Sequence, residues 1–110
     1  MSIHSKALDT RALHAESEAY RATNYLIGEL LAWLVTDCPP SECVEAARAV
    51  ATLRWMCKDK SLLASAAPVD ISLLTQNAPS ARAAYHEWFK LRTEARALRN
   101  AADIINNGQP

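Results

Sequence analysis

Residues Pro79 to Asn106 read PSARAAYHEWFKLRTEARALRNAADIIN, and their pattern decides the fold. Ala81, Ala84, Trp88, Leu91, Ala95, Leu98, Ala102 and Ile105 recur at steps of three and four in strict alternation. A strand would repeat every second residue, whereas this spacing keeps one apolar seam on one side of a helix. Pro79 suits a first helical turn, where its missing amide costs nothing, and Asn107-Gly108 supplies a stop. The pattern predicts a helix over 79–106, about 42 Å long at 1.5 Å per residue.

Working toward the N-terminus, Asn77-Ala78-Pro79 breaks the chain, and Asp70 is placed to cap a short helix around 71–76. Between Asp59 and Ala78 the periodicity degrades. Ser41 to Lys58 regains it, with Ser41 as the expected N-cap, Glu42 and Glu45 near the positive end, and Cys43, Ala47, Val50, Leu53 and Cys57 facing inward. Asp37-Cys38-Pro39-Pro40 separates this helix from an earlier one over 6–36, because proline supplies no amide donor and restrains its predecessor. In that first helix Leu8, Ala12, Ala15, Ala19, Ala22, Leu26 and Trp33 form a seam, with Glu29 filling the remaining step. Leu13, Tyr20, Ile27 and Leu34 form a second row beside it. The expectation is a single all-α domain over 1–110, a small bundle of three main helices (6–36, 41–58, 79–106) plus the short segment at 71–76.

Composition agrees. Of 110 residues, 21 are alanine, while Leu, Ile, Val and Phe together number 23, so helices must pack by close backbone approach. Two glycines are too few for a turn-rich β protein or a glycine-loop nucleotide binder. The 12 basic and 12 acidic residues cancel, which argues against a dedicated nucleic-acid binder. The most apolar run, Tyr25 to Val35, has 11 residues and contains Glu29, against about 20 for a membrane span. The opening residues carry no apolar run behind their charges, so the expected location is the cytoplasm, with thiols reduced. Cys43 and Cys57 on one helix would lie about 21 Å apart. The three cysteines read as small hydrophobes.

A 42 Å helix exceeds the width of so small a domain, so part of its seam, and of the first helix's alanine seam, is expected to lack cover within the chain. That points to a twofold homodimer. Glu29, among Leu26, Ile27, Leu30 and Trp33, needs a partner if buried. An antiparallel hairpin places it opposite Arg48, and a buried Glu29–Arg48 ion pair is expected. On the last helix, Tyr85, Trp88 and Phe89 form an aromatic cluster wider than one seam, and Arg92, Arg96 and Arg99 share a face. These six are the candidate partner-binding residues, since aromatic and arginine side chains dominate binding hot spots.

No catalytic or metal constellation stands out. His14 and Glu18 have helical spacing but no third ligand, so no metal or cofactor is expected. Arg82-Ala83-Ala84-Tyr85-His86 is similar to the Arg-to-His motif of the helical HEPN ribonucleases, but its gap is at least one residue short and the motif's polar residue is absent. The long-helix layout is also similar to the all-helical chorismate mutases, yet Arg11 and Arg21 lie off the apolar seam where that chemistry needs converging bases. The expected function is a non-catalytic module that binds another protein, including a multi-subunit complex, by occupying its surface. Its sharpest form is a small bacterial or phage inhibitor of the anti-CRISPR or another anti-defence type. The alternatives are a DNA- or RNA-associated regulator using the arginine stripe, and a small helical enzyme.

Overall fold

The corner between the first two helices shows how local sequence cuts the chain into rods. In a computed structural model that describes residues 3–58 and 78–108, the amides of Asp37 and Cys38 both donate to the Trp33 carbonyl (2.8 and 2.9 Å), closing the last turn of α1 (Ile3–Thr36). Pro39 and Pro40 prevent continuation, and Pro40 then opens α2 (Pro40–Lys58), where a helix tolerates the missing donor. Ser41, expected as the cap, lies inside that helix. Glu42 in the first turn and Lys58 in the last complement the helix dipole.

The third helix, α3 (Pro79–Asn106), has the bounds read from its punctuation. Asn107 and Gly108 donate back to Asp103 and Ile105, and Gly108 takes the left-handed conformation (φ 66°) that glycine adopts without strain. Among the described residues there are three helices and no strand, so the chain is an all-α bundle. α1 begins three residues earlier than expected, and the segment predicted at 71–76 lies outside the described residues.

α1 is the common partner of both other helices. Both run antiparallel to it: Cys57 of α2 reaches Thr23 and Tyr20, while along α3 Trp88 meets Thr23, Arg99 meets Glu16 and Asn106 meets Asp9. α2, at 19 residues, is much shorter than α1 or α3. Among the described residues, the body of the molecule is therefore α2 and α3 packed on the C-terminal half of α1. The N-terminal half of α1 and the C-terminal half of α3 continue as a two-helix arm. The radius of gyration is 16.1 Å and the extents are 54 × 20 × 18 Å, against about 13 Å for a compact domain of 100 residues.

The two alanine seams pair with each other. Ala12 and Ala19 of α1 and Ala81, Ala84, Ala95 and Ala102 of α3 are all buried within one chain. Most of the seam is thus covered within the chain, while Ala15, Ala22, Leu91 and Leu98 are only half-buried. A 42 Å helix does outrun a compact domain, but α1, at 34 residues, is longer still and lies alongside it. Only the final step, Ile105, stays exposed.

Both seams are also rotated by one residue at alternate steps. On α1 the fully buried positions include Thr23 and Leu30, while Ala22 and Glu29 stand at the edge. On α3, Arg92 is buried and Arg99 half-buried, with Leu91 and Leu98 beside them rather than beneath. On α2 the inward face is Ala46, Ala49, Val50, Leu53 and Met56; Ala47 is exposed and Cys43 and Cys57 are half-buried.

The rotation disposes of the buried Glu29–Arg48 pair. Leu30 takes the inward position, Glu29 moves to the helix edge, and Arg48 points outward to Glu45 (3.3 Å). Both partners of that surface pair are mostly exposed, so it adds little stability. Glu29 instead lines a cleft of about 280 Å³ beside Asp37 and the first turn of α3, Ala78 to Ala81. Ala78 makes no side-chain cap, and carboxylates near that positive helix end are favourable.

The arm is held by a polar clasp. Arg99 grips Glu16 with two parallel bonds (Nε–Oε2 3.1 Å, Nη2–Oε1 2.8 Å), reaches Asp9 at 3.5 Å, and has Asp103 at 4.0 Å. Asn106 donates to both oxygens of Asp9 (2.9 and 3.0 Å). Bidentate guanidinium–carboxylate pairs are the strong kind, and Glu16 is only 17% exposed. Arg99→Ala is expected to cost roughly 1–2 kcal/mol, below the range for a fully buried pair because water reaches the clasp. Arg99→Lys, losing the fork, should recover only part of it; urea titration of the three proteins checks this.

Candidate protein-binding surface

The six residues nominated as partner-binding do not form one surface. Trp88 is fully buried, and its indole Nε1 donates to the Thr23 hydroxyl (2.8 Å), which donates in turn to the Ala19 carbonyl (2.8 Å). It belongs to the core. Tyr85 packs half-buried against it, with ring centroids 5.9 Å apart, and against Phe89 at 6.2 Å. Of these three aromatic residues, Phe89 alone is exposed, at 45%.

The arginine stripe is likewise dismantled. Arg92 is 3% exposed; burial first, and then the like charge of Arg96, hold its pKa below the ordinary arginine range. Arg96 is half-buried. Arg99 belongs to the clasp, and its hydrogen bonding to Glu16 raises its pKa, with burial opposing and the charges of Glu16, Asp103 and Asp9 adding to the rise. Local spacing puts these three arginines on one helical face, but that face is turned toward α1.

The same rotation builds a different feature. With Leu91 and Leu98 displaced to the edge, they join Ala15 as the floor of a groove between α1 and α3, of about 360 Å³. Its rim carries Arg11, His14, Glu18 and Glu94. Glu18 also accepts from Arg21 (3.2 Å). No α2 residue lines this groove or the cleft near Glu29, so both open on the side that α2 leaves bare. His14, Glu18 and Glu94 share the groove, but no group of three or more His, Cys, Asp or Glu among the described residues is placed to hold a metal ion. The signal for the groove was present in Ala15, Leu91 and Leu98. All three lie on the apolar seams, and seam spacing alone does not say which steps a partner helix leaves open.

Near the Trp88–Thr23 bond, Tyr20 and Cys57 are both shifted toward their uncharged forms. Burial raises Tyr20, aided by the charges of Cys57 and Glu16, and burial raises Cys57 against an opposing hydrogen bond with Thr23. These shifts follow from enclosure between α1 and α2 and stabilise the uncharged forms. No helix among the described residues is long and apolar enough to cross a membrane.

Comparison with known proteins adds no relative: no family model, curated protein or solved structure matches the chain.

Proposed function

We propose that this chain is a non-catalytic protein-binding module that acts by occupying a partner's surface through the α1–α3 groove. The observation that carries the reading is the groove's make-up. An apolar floor of Ala15, Leu91 and Leu98 lies within a rim bearing both signs of charge, Arg11 against Glu18 and Glu94, with His14 beside them. Protein-recognition grooves combine a desolvated apolar centre with a polar rim, and an amphipathic helix is the element that fits a channel between two helices. Because the alanine seams cover one another, the groove's occupant in this reading is another protein rather than a second copy demanded by bare seam.

In its sharpest form the module is a small bacterial or phage inhibitor of a larger complex, of the anti-CRISPR or another anti-defence type. The regulator of DNA or RNA is the weaker reading, because Arg92 is enclosed and Arg99 is engaged by Glu16.

The test is capture from a bacterial lysate by the tagged chain, compared with His14→Glu/Glu94→Lys and with Phe89→Ala. All three sites are exposed, so helicity by circular dichroism should be unchanged. Rim reversal is expected to reduce capture at least tenfold while Phe89→Ala retains it. Equal capture by all three proteins overturns the reading, and loss with Phe89→Ala alone moves the interface to the edge of α3.

A further inference from the structure

The α1–α2 corner holds a second feature, which has no part in the groove. The Cys38 and Cys43 thiols both donate to the same acceptor, the Pro39 carbonyl, each at 3.5 Å, and the Cys43 sulfur also lies 3.9 Å from the Cys38 carbonyl. The two sulfurs are therefore no further apart than twice the first distance. The backbone causes this convergence. α1 ends at Thr36, Pro39 and Pro40 turn the chain, and the first turn of α2 brings Cys43 back over the corner. The spacing hides the pair in sequence, because the two cysteines straddle a helix break. Beside them Glu42 is close enough for its charge to act on Cys38, and its buried Oε2 has no hydrogen-bond partner among the described residues.

We propose that Cys38 and Cys43 are a redox-active pair that closes to an intrachain disulfide on meeting a disulfide oxidant of the glutathione class. Burial, then the Cys43 hydrogen bond, then the charges of Cys43 and Glu42 push the Cys38 thiol up to about 11, so Cys38 holds its proton and Cys43 attacks first. The Cys43 sulfur bonds to one sulfur of the oxidant, and the first glutathione leaves as the thiol. Cys38 then attacks the Cys43 sulfur of that mixed disulfide, forming the Cys38–Cys43 bond and releasing the second glutathione. The two protein thiols give up two electrons and two protons; the oxidant's disulfide takes both. The unpartnered Glu42 oxygen accepts the Cys38 proton in the second step and passes it to the leaving sulfur. The ring so closed is short, so it removes little chain entropy and reopens in reducing buffer. Cys57, far along α2 and half-buried against Thr23, takes no part.

The experiment equilibrates the full chain in glutathione buffers of rising oxidised fraction, traps free thiols with N-ethylmaleimide and reads intact mass. Wild type should pass from three alkylated thiols to one with the loss of two hydrogens, and Cys57→Ser from two to none. Cys38→Ser should stop as a mixed disulfide carrying one glutathione. Glu42→Gln should reach the same end point with a closing step slowed about tenfold. The pair is overturned if Cys57→Ser keeps both thiols alkylatable or accumulates two glutathiones across the series, or if the wild-type disulfide includes Cys57. An unchanged closing rate in Glu42→Gln overturns the proton-accepting role of Glu42.

Discussion

Trp88→Ala is expected to destabilise the chain by about 3–5 kcal/mol, a large share of the roughly 5–15 kcal/mol that holds a domain folded. The side chain is fully enclosed between α1 and α3, and no neighbour can fill the space without moving a helix. Its loss also removes the donor to Thr23. Two milder variants separate packing from bonding. Trp88→Phe keeps most of the apolar contact and leaves the Thr23 hydroxyl still donating to the Ala19 carbonyl, so about 1–2 kcal/mol is expected. Thr23→Val leaves the indole N–H buried without an acceptor, at about 1–3 kcal/mol. In the double variant both partners go, so the combined cost should fall short of the sum by about 1 kcal/mol. Urea unfolding of wild type and the four variants reads all of these; strict additivity would mean that the hydrogen bond contributes nothing.

Ala19→Leu is expected to cost about 3 kcal/mol, lowering the melting temperature by on the order of 15 °C. Ala19 is fully buried where the seams pair, one turn from the Thr23–Trp88 bond. Three added carbons must go between two helix backbones, and the helices cannot part there without stretching that bond. Ala101→Leu, on the exposed side of α3, supplies the control and should stay within about 0.5 kcal/mol of wild type. If the two substitutions have equal effects in calorimetry, the helices are not closely packed.

These two sites also show what sequence reasoning reaches. The bounds of α3 are legible because Pro79 and Asn107-Gly108 are unambiguous punctuation, and its seam is legible because Trp88 and the leucines mark it. The exact rotation is not. Where a stripe is mostly alanine, a shift of one residue moves little apolar volume, so Ala22 and Thr23, or Ala46 and Ala47, are close to equivalent in pattern. The consequences are large all the same: the shift places Thr23 under Trp88, buries Arg92, and sends Glu29 to the edge. Arg99 illustrates a second limit. Its neighbours in sequence make it part of a basic stripe, while its true partner, Glu16, lies 83 residues away. The groove depends on the pairing of α1 with α3, which leaves Leu91 and Leu98 on its floor.

The arm divides the molecule into two units of unequal cooperativity. In the body α1 has both other helices packed on it, but among the described residues 3–19 and 93–106 pair only with each other, with the Arg99 clasp as their main polar tie. Native-state hydrogen exchange should therefore follow two opening reactions, a low-energy one in which the arm unzips and a global one that frees the amides around Trp88. The groove lies along the same stretch, so an occupant would act as a missing third layer. Part of its binding energy would be spent on suppressing the unzipping, and the slowed exchange of arm amides would report its arrival.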